Sequence, residues 1–131
     1  MLERLVNIGF RKVGECKLTD GKLLCHLDAE ANSRNILYAF VTEQEVLYIG
    51  KTIRPLKSRL YGYQNPDGTQ ITNVRGNKRL IELLAADSAV YIYVLPDHGL
   101  MQYGGFHLNL AAALEDSLIS QLKPKWNMAG V

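Results

Sequence analysis

Four side chains suited to proton transfer or phosphate binding lie close together in residues 36–59. They are Tyr38, Tyr48, Lys51 and Arg59. A tyrosine hydroxyl can donate or accept a hydrogen bond, and lysine and arginine bind phosphate oxygens through charge-assisted hydrogen bonds. Each residue alone is more often a packing aromatic or a surface cation. Their combination in one short stretch is what indicates a site.

A single carboxylate on the last expected helix is the second unusual feature. Apolar spacing predicts a helix over residues 109–123, ended by Pro124. At about 100° per residue, Glu115 falls inside the apolar arc of this helix. Because an unpaired buried carboxylate is costly, we expect a metal ion, an arginine or both beside Glu115. Its four nearest helical neighbours are all apolar: Ala111, Ala112, Leu118 and Ile119.

A hairpin and a helix would position the first group of residues. The β-prone segments 36–41 and 46–49 are separated by a short connection, which predicts an antiparallel hairpin. The proline that follows suits a first helical turn, so a helix is expected from about residue 54 to residue 61 or 63. On that helix Tyr63 follows Arg59 by four residues, which places both side chains on one surface.

Beyond this helix, turn-forming residues predict a loop over residues 64–76, in which Asn73 and Arg75 are candidate substrate contacts. Asn77 can cap the next helix. The remaining expected elements are that helix through residue 87, a third strand over 89–95, and a loop over 96–107 carrying His98 and His107.

The N-terminal residues 1–34 are expected to form an extension packed on the main domain, residues 35–131. Residues 1–7 suit a short helix, and the Asp20-Gly21 dipeptide suits a hairpin turn. This hairpin would bring Cys16 and Cys25 together, but without a secretion signal we expect free thiols. A zinc site is disfavoured because no second close-spaced pair of ligands is present.

The composition is that of a globular, soluble protein, which we expect to be cytoplasmic. The 131 residues are 47% hydrophobic and 21% charged, enough for one domain with its own core. No apolar run approaches the roughly 20 residues of a spanning helix, and the N-terminus lacks the features of a signal peptide. We therefore do not expect a membrane-spanning or disordered chain.

Positive charge is concentrated in residues 50–80. This window holds seven Lys or Arg residues against one acidic residue, a balance of 7 − 1 = +6, although the whole chain is only +2. Such clustering is typical of a surface that contacts phosphates, and a solvated basic face explains the charge about equally well. The seven are Lys51, Arg54, Lys57, Arg59, Arg75, Lys78 and Arg79.

The sequence Gly50-Lys51-Thr52, between an expected strand and helix, also imitates the end of a phosphate-binding loop. That motif requires a glycine five residues before Gly50, where this chain has Glu45. Nucleotide hydrolysis of that type is therefore excluded.

Taken together, these features resemble the GIY-YIG nuclease domain, as a stand-alone single-domain member. Tyr48, Ile49 and Gly50 form the second tripeptide of the family intact, and the first is represented by residues 36–38, which keep Tyr38. The resemblance spans residues 35–127 and implies an α+β fold with a small three-stranded antiparallel sheet flanked by helices, to which the N-terminal extension can add a hairpin. The matched catalytic positions are Tyr38, Tyr48, Lys51, Arg59, Tyr63, Glu115 and Asn127.

The resemblance implies a metal-dependent endonuclease that hydrolyses phosphodiester bonds. Glu115 would bind a single divalent ion, Mg²⁺ or Mn²⁺, and Arg59 would clamp the phosphate. Tyr38 would act as general base, helped by the positive charge of Lys51, Arg59 and the metal. Tyr48 and Tyr63 would orient water or phosphate, and Asn127 would hold the geometry of the site.

DNA is the expected partner, with RNA open as a second substrate and no membrane involved. A homodimer is one way in which a chain with one site can cut both strands. A nucleic-acid-binding or assembly module without cleavage is the alternative, although binding alone does not require a metal carboxylate. The expected substrate contacts are Lys51, Arg54, Lys57, Arg75 and Lys78.

Overall fold

The structure is a computed structural model that describes residues 1–128 of the chain. Five strands form its central sheet: β1 (Arg11–Thr19), β2 (Lys22–Leu27), β3 (Ile36–Thr42), β4 (Glu45–Thr52) and β5 (Val90–Leu95). Their order across the sheet is β2-β1-β5-β3-β4, and every neighbouring pair is antiparallel. Strand β3 is thus an interior strand, whereas β4 is an edge strand.

Helices cover both faces of the sheet, so the fold is of the mixed α+β kind. In the described part of the chain, no helix has the length and hydropathy needed to cross a membrane. The helices are α1 (Leu2–Asn7), α2 (Leu56–Gln64), α3 (Ile71–Ala85), α4 (Leu110–Leu122) and α5 (Lys125–Met128).

The sheet has five strands, so the expected number of three strands is wrong. The hairpin of β1 and β2 turns at Asp20 and Gly21, both with positive φ as a type I′ turn requires. Its first strand pairs along β5 and so joins the N-terminal hairpin to the other three strands. Cys16 and Cys25 face each other across this hairpin as free thiols, with their Sγ atoms 3.4 Å apart.

Strand β3 is buried on both faces and divides the core into two clusters. Its alternate residues Tyr38 and Phe40 lie in the cluster covered by α2 and α3, which supply Leu56, Leu60, Tyr63 and Leu80. Ala39 and Val41 lie in the other cluster, which is covered by α1 and α4. A strand enclosed in this way needs apolar residues at every position, which explains the unbroken run from Ile36 to Val41.

Helix α3 begins at Ile71, six residues before the expected start at Asn77, so the expected loop over residues 64–76 is too long. Asn77 lies inside the helix rather than at its cap, and its Nδ2 donates to the Tyr63 carbonyl oxygen at 2.8 Å. A Cβ atom added at Gly76 would lie 2.5 Å from the Tyr63 ring. The glycine and asparagine that suggested a loop are therefore packing residues, which let α3 approach α2.

The second expected loop, residues 96–107, contains a small hairpin of β6 (Gln102–Tyr103) and β7 (Phe106–His107). Asp97 holds its base through the Asn109 side chain and the Leu110 backbone N–H, both at 2.9 Å. The His107 Nε2 atom lies 3.2 Å from the same carboxylate, so this histidine is engaged in the hairpin.

The packing of β1 between two partners provides a test of the sheet register. Gly14 pairs with both β2 and β5, and an added Cβ atom would lie 2.1 Å from the His26 backbone oxygen. We expect Gly14→Ala to lower the free energy of unfolding by about 1–3 kcal/mol, because strand backbone must shift to admit the methyl group. The matched control is Gly68→Ala, where an added Cβ meets nothing within 4 Å. Denaturant unfolding measures both variants, and equal stability would contradict the register.

Candidate active site

A chain of hydrogen bonds joins two tyrosines, an arginine and an asparagine on the α2 side of the sheet. The hydroxyl oxygens of Tyr38 and Tyr63 lie 2.7 Å apart, and Arg59 Nη2 donates to the Tyr63 hydroxyl at 2.9 Å. Arg59 Nη1 donates to Asn73 Oδ1, and Asn73 Nδ2 donates to Gln70 Oε1. Both tyrosines are 1% exposed. Tyr38, Arg59 and Tyr63 are therefore neighbours in the structure.

Two members of this hydrogen-bonded group differ from the sequence-based expectation. Asn73 was expected to contact substrate, but it is buried and serves as an acceptor for Arg59. Gln70, which precedes α3, was not expected to take part at all. Its position just before a helix would indicate a role only with a correct prediction of the start of α3.

Gly50 allows Tyr38 to lie flat against the neighbouring strand. The two residues are directly paired between β3 and β4. A Cβ atom at position 50 would lie 2.6 Å from the Tyr38 hydroxyl oxygen and 2.8 Å from the Tyr48 ring. Any side chain here would push both tyrosines away. The glycine of the Tyr-Ile-Gly tripeptide is thus required by the placement of the tyrosines.

Burial keeps the two phenols in their neutral form. It raises the pKa of Tyr38 well above its ordinary value, and the Arg59 guanidinium offsets this only in part. Burial also raises the pKa of Tyr63, and the neighbouring Tyr38 adds to the effect. The expectation was that positive charge would favour the phenolate of Tyr38. In the protein alone, burial outweighs that charge.

Glu115 has a cation beside it, and this cation is Lys51. The Lys51 Nζ atom lies 3.9 Å from Glu115 Oε1, and the glutamate side chain is 26% exposed. The carboxylate is therefore partly buried rather than enclosed, and its partner is a lysine on β4 where an arginine or a metal was expected. A partly exposed pair is stabilised only weakly by charge, so Glu115 remains accessible to other cations.

The two groups of residues meet at the end of β4. Tyr38 lies against Gly50 on the α2 side, whereas Lys51 pairs with Glu115 of α4, which packs on the opposite core. Gly50 and Lys51 are consecutive, so their Cα atoms are about 3.8 Å apart and their side-chain directions are opposite. The candidate site therefore spans both faces of an edge strand.

Asn127 binds the edge of β4 directly. Its side-chain Oδ1 accepts from the Ile49 N–H and its Nδ2 donates to the Ile49 carbonyl oxygen, both at 2.9 Å. These are the two bonds that a further strand would make with Ile49. Asn127 is thus placed to hold the Tyr-Ile-Gly segment in position, in line with its expected role in the geometry of the site.

The expected substrate contacts lie in two exposed groups. Lys51, Arg54 and Lys57 follow one another around the turn from β4 to α2, and the last two line a shallow depression. Arg75 and Lys78 lie on the exposed part of α3. Tyr48 is partly exposed and stacks on Phe40, with ring centroids 6.3 Å apart. The basic window is therefore a surface near the site, although not a single patch.

The buried phenols make stability depend on pH in the alkaline range. Above about pH 10 the unfolded chain loses phenol protons, while Tyr38 and Tyr63 keep theirs in the fold, so stability falls as pH rises. We expect Tyr63→Phe to make this fall shallower, by at most about 1.4 kcal/mol per pH unit. Unfolding measured between pH 9 and about pH 11.5 tests this. Tyr103→Phe, at an 82% exposed tyrosine, should match wild type, and equal slopes for both variants would contradict the expectation.

No protein-family model and no curated protein sequence matches the chain. Among solved structures, a glutamate-to-alanine variant of EndoII from bacteriophage T4 gives a TM-score of 0.72 at 26% identity, covering 95% of this chain and 96% of that one. The restriction endonuclease HPY188I in complex with product DNA gives 0.57 at 17% identity, covering 95% and 80%. The chain therefore has the fold of these nucleases.

Proposed function

We propose that the protein is a metal-dependent endonuclease of the GIY-YIG type that hydrolyses phosphodiester bonds in DNA. The observation that carries this proposal is Arg59, fixed between Tyr63 and Asn73 and close to Tyr38, in a chain with a nuclease fold. The 26% identity to EndoII extends over nearly the whole of both chains and adds support.

Arg59 keeps its positive charge available for a phosphate. Its two observed partners are the neutral Tyr63 hydroxyl and the neutral Asn73 amide, and no carboxylate of residues 1–128 forms an ion pair with it. A guanidinium has five N–H donors, of which these two bonds use two. A fixed cation of this kind stabilises the negative charge that develops on phosphorus oxygens without reorganising.

The basic turn after β4 supplies a surface for the DNA backbone. Lys51, Arg54 and Lys57 are exposed next to the end of β4, where the candidate site lies. Contacts from such side chains to phosphates give affinity that does not depend on sequence and that falls as salt rises. Arg75 and Lys78 form a second exposed basic group on α3.

Glu115 is the residue that would hold the divalent ion. Residues 1–128 contain no cluster of three or more His, Cys, Asp or Glu side chains suited to a metal, so a fully protein-bound site is not available there. A partly exposed single carboxylate fits Mg²⁺, which keeps several waters and uses one or two carboxylates together with substrate phosphate. When bound, such an ion polarises the phosphoryl oxygen and lowers the pKa of water.

Tyr38 is the proposed acceptor of the proton from the attacking water. Its neutral state in the protein alone means that only a small fraction is phenolate at neutral pH, and Arg59 is the observed neighbour that favours this form. Tyr48, which contacts the same glycine, and Tyr63, which contacts the Tyr38 hydroxyl, would orient the water and phosphate.

Cleavage of supercoiled plasmid in Mg²⁺ tests the activity. We expect wild type to nick the DNA, EDTA to stop it, and Glu115→Ala to reduce the rate by more than about 100-fold, because the ligand of the ion is lost. Asp116→Ala, on the next and exposed position of α4, is the matched control and should keep its activity. An RNA duplex of the same sequence distinguishes the two substrate classes.

Nicked circles, rather than linear product, are expected at low protein concentration, because one chain carries one site. Linear product that forms without prior accumulation of nicked circles would indicate a homodimer, whereas linear product that follows them would indicate sequential nicks. Wild type that binds DNA and leaves it intact would contradict the proposal and favour the non-cleaving alternative. Glu115→Ala with wild-type activity would remove the metal role.

The role of Tyr38 is tested by its pH profile. If Tyr38 is the base, the wild-type rate should rise with pH across the neutral range, and Tyr38→Phe should lower it by about 10²–10⁴-fold while DNA affinity is kept. Tyr91→Phe is the control, because Tyr91 lies at the end of β5 away from Val94, which pairs with Tyr38. An active Tyr38→Phe enzyme with the same pH dependence would remove the role.

A further inference from the structure

A cleft of about 250 Å³ lies beside the tyrosines, between α3 and α5. Its lining includes Tyr48 and Tyr63, Arg75 and Arg79 of α3, and Trp126 of α5. This volume is just below the roughly 300–1,000 Å³ of typical small-molecule sites, so the cleft suits one planar ring system and not a larger ligand.

The walls of the cleft are aromatic and are held in place. Phe40 stacks on Tyr48 and meets Tyr63 edge to face, with centroids 5.2 Å apart in the second pair. The Arg79 guanidinium donates to the Trp126 carbonyl oxygen at 3.3 Å and lies 5.9 Å from the indole ring. The aromatic side chains that would stack on a flat ring are therefore held by their neighbours.

The charge of the cleft favours an anion next to that ring. Its lining in the described residues includes two arginines and no aspartate or glutamate. Aromatic faces together with cations are the combination that binds single nucleotides, the ring stacking on the base and the cation contacting the phosphate.

We propose that this cleft binds one unpaired nucleotide of the substrate, next to the phosphate that is cut. The inference rests on the proposed function. Tyr63 connects the two places, because its hydroxyl contacts Tyr38 and Arg59 while its ring lines the cleft. A paired base cannot enter, since it must first leave the stack at a cost that is lowest for a mismatched or bulged base. The preferred substrate is thus DNA with an unpaired nucleotide beside the cut.

Trp126 is the one tryptophan of the chain, so its fluorescence reports on this cleft directly. The probes are a DNA duplex with a single-nucleotide bulge and the fully paired duplex, titrated in EDTA so that binding is measured without cleavage. We expect the bulged duplex to quench Trp126 and to bind about tenfold more tightly than the paired one, because a base stacks on the indole.

Thr72→Phe tests the cleft independently of the rest of the DNA-binding surface. Thr72 is exposed and lines the cleft, so a phenyl ring there narrows the space for a ligand, and Thr72 is not one of the residues bonded to Tyr38 or Arg59. We expect this variant to lose the quenching and the preference for the bulge while its affinity for paired DNA stays within about twofold. Val74→Phe, on an exposed position of α3 outside the cleft, is the matched control and should behave as wild type.

Equal quenching and equal affinity for the two duplexes, or a Thr72→Phe variant that keeps the preference, would overturn the inference. This outcome is distinct from failure of the proposed function, which is judged by plasmid cleavage in Mg²⁺. A protein that cuts plasmid but shows no preference would retain the function and lose the cleft. A protein that binds the bulge through Trp126 but never cuts would retain the cleft and lose the proposed function.

Discussion

The buried contact between the hydroxyls of Tyr38 and Tyr63 is the interaction on which the other parts of the site depend. It joins the interior strand β3 to helix α2 and fixes the acceptor to which Arg59 donates. The same Tyr63 ring is approached by Gly76 of α3 and lines the neighbouring cleft. Movement of this one side chain would therefore displace the arginine, the position of α3 and the shape of the cleft together.

Burial gives these phenols a defined position at the expense of their acidity. A solvent-exposed tyrosine would ionise near pH 10 but would not hold Arg59 in one orientation, whereas a buried one holds it and resists ionisation. The structure combines this with neutral partners for Arg59, so the guanidinium is fixed without being neutralised. The Lys51 and Glu115 pair differs, because there each charge is partly cancelled and partly exposed.

The parts of the candidate site that depend on local order could be predicted from the sequence. The β3 and β4 hairpin, the helix spacing of Arg59 and Tyr63, and the unusual place of Glu115 all follow from neighbours within a few residues. The pairing of β1 with β5 joins segments far apart in the chain, and local patterns carry no information about it. The start of α3 was missed for another reason: Asn73 and Gly76 are turn formers by propensity, yet here tertiary contacts to Arg59 and Tyr63 select them.

The position of the site on an edge strand has a structural consequence of its own. An edge strand exposes backbone N–H and C=O groups that can pair with another chain, and proteins usually cover such edges. Here Asn127 satisfies both groups of Ile49, which brings α5 and Trp126 against β4. Trp126 then closes one side of the cleft, whose other side is α3. The contact that protects the Tyr-Ile-Gly strand from pairing is therefore also what forms the cleft beside it.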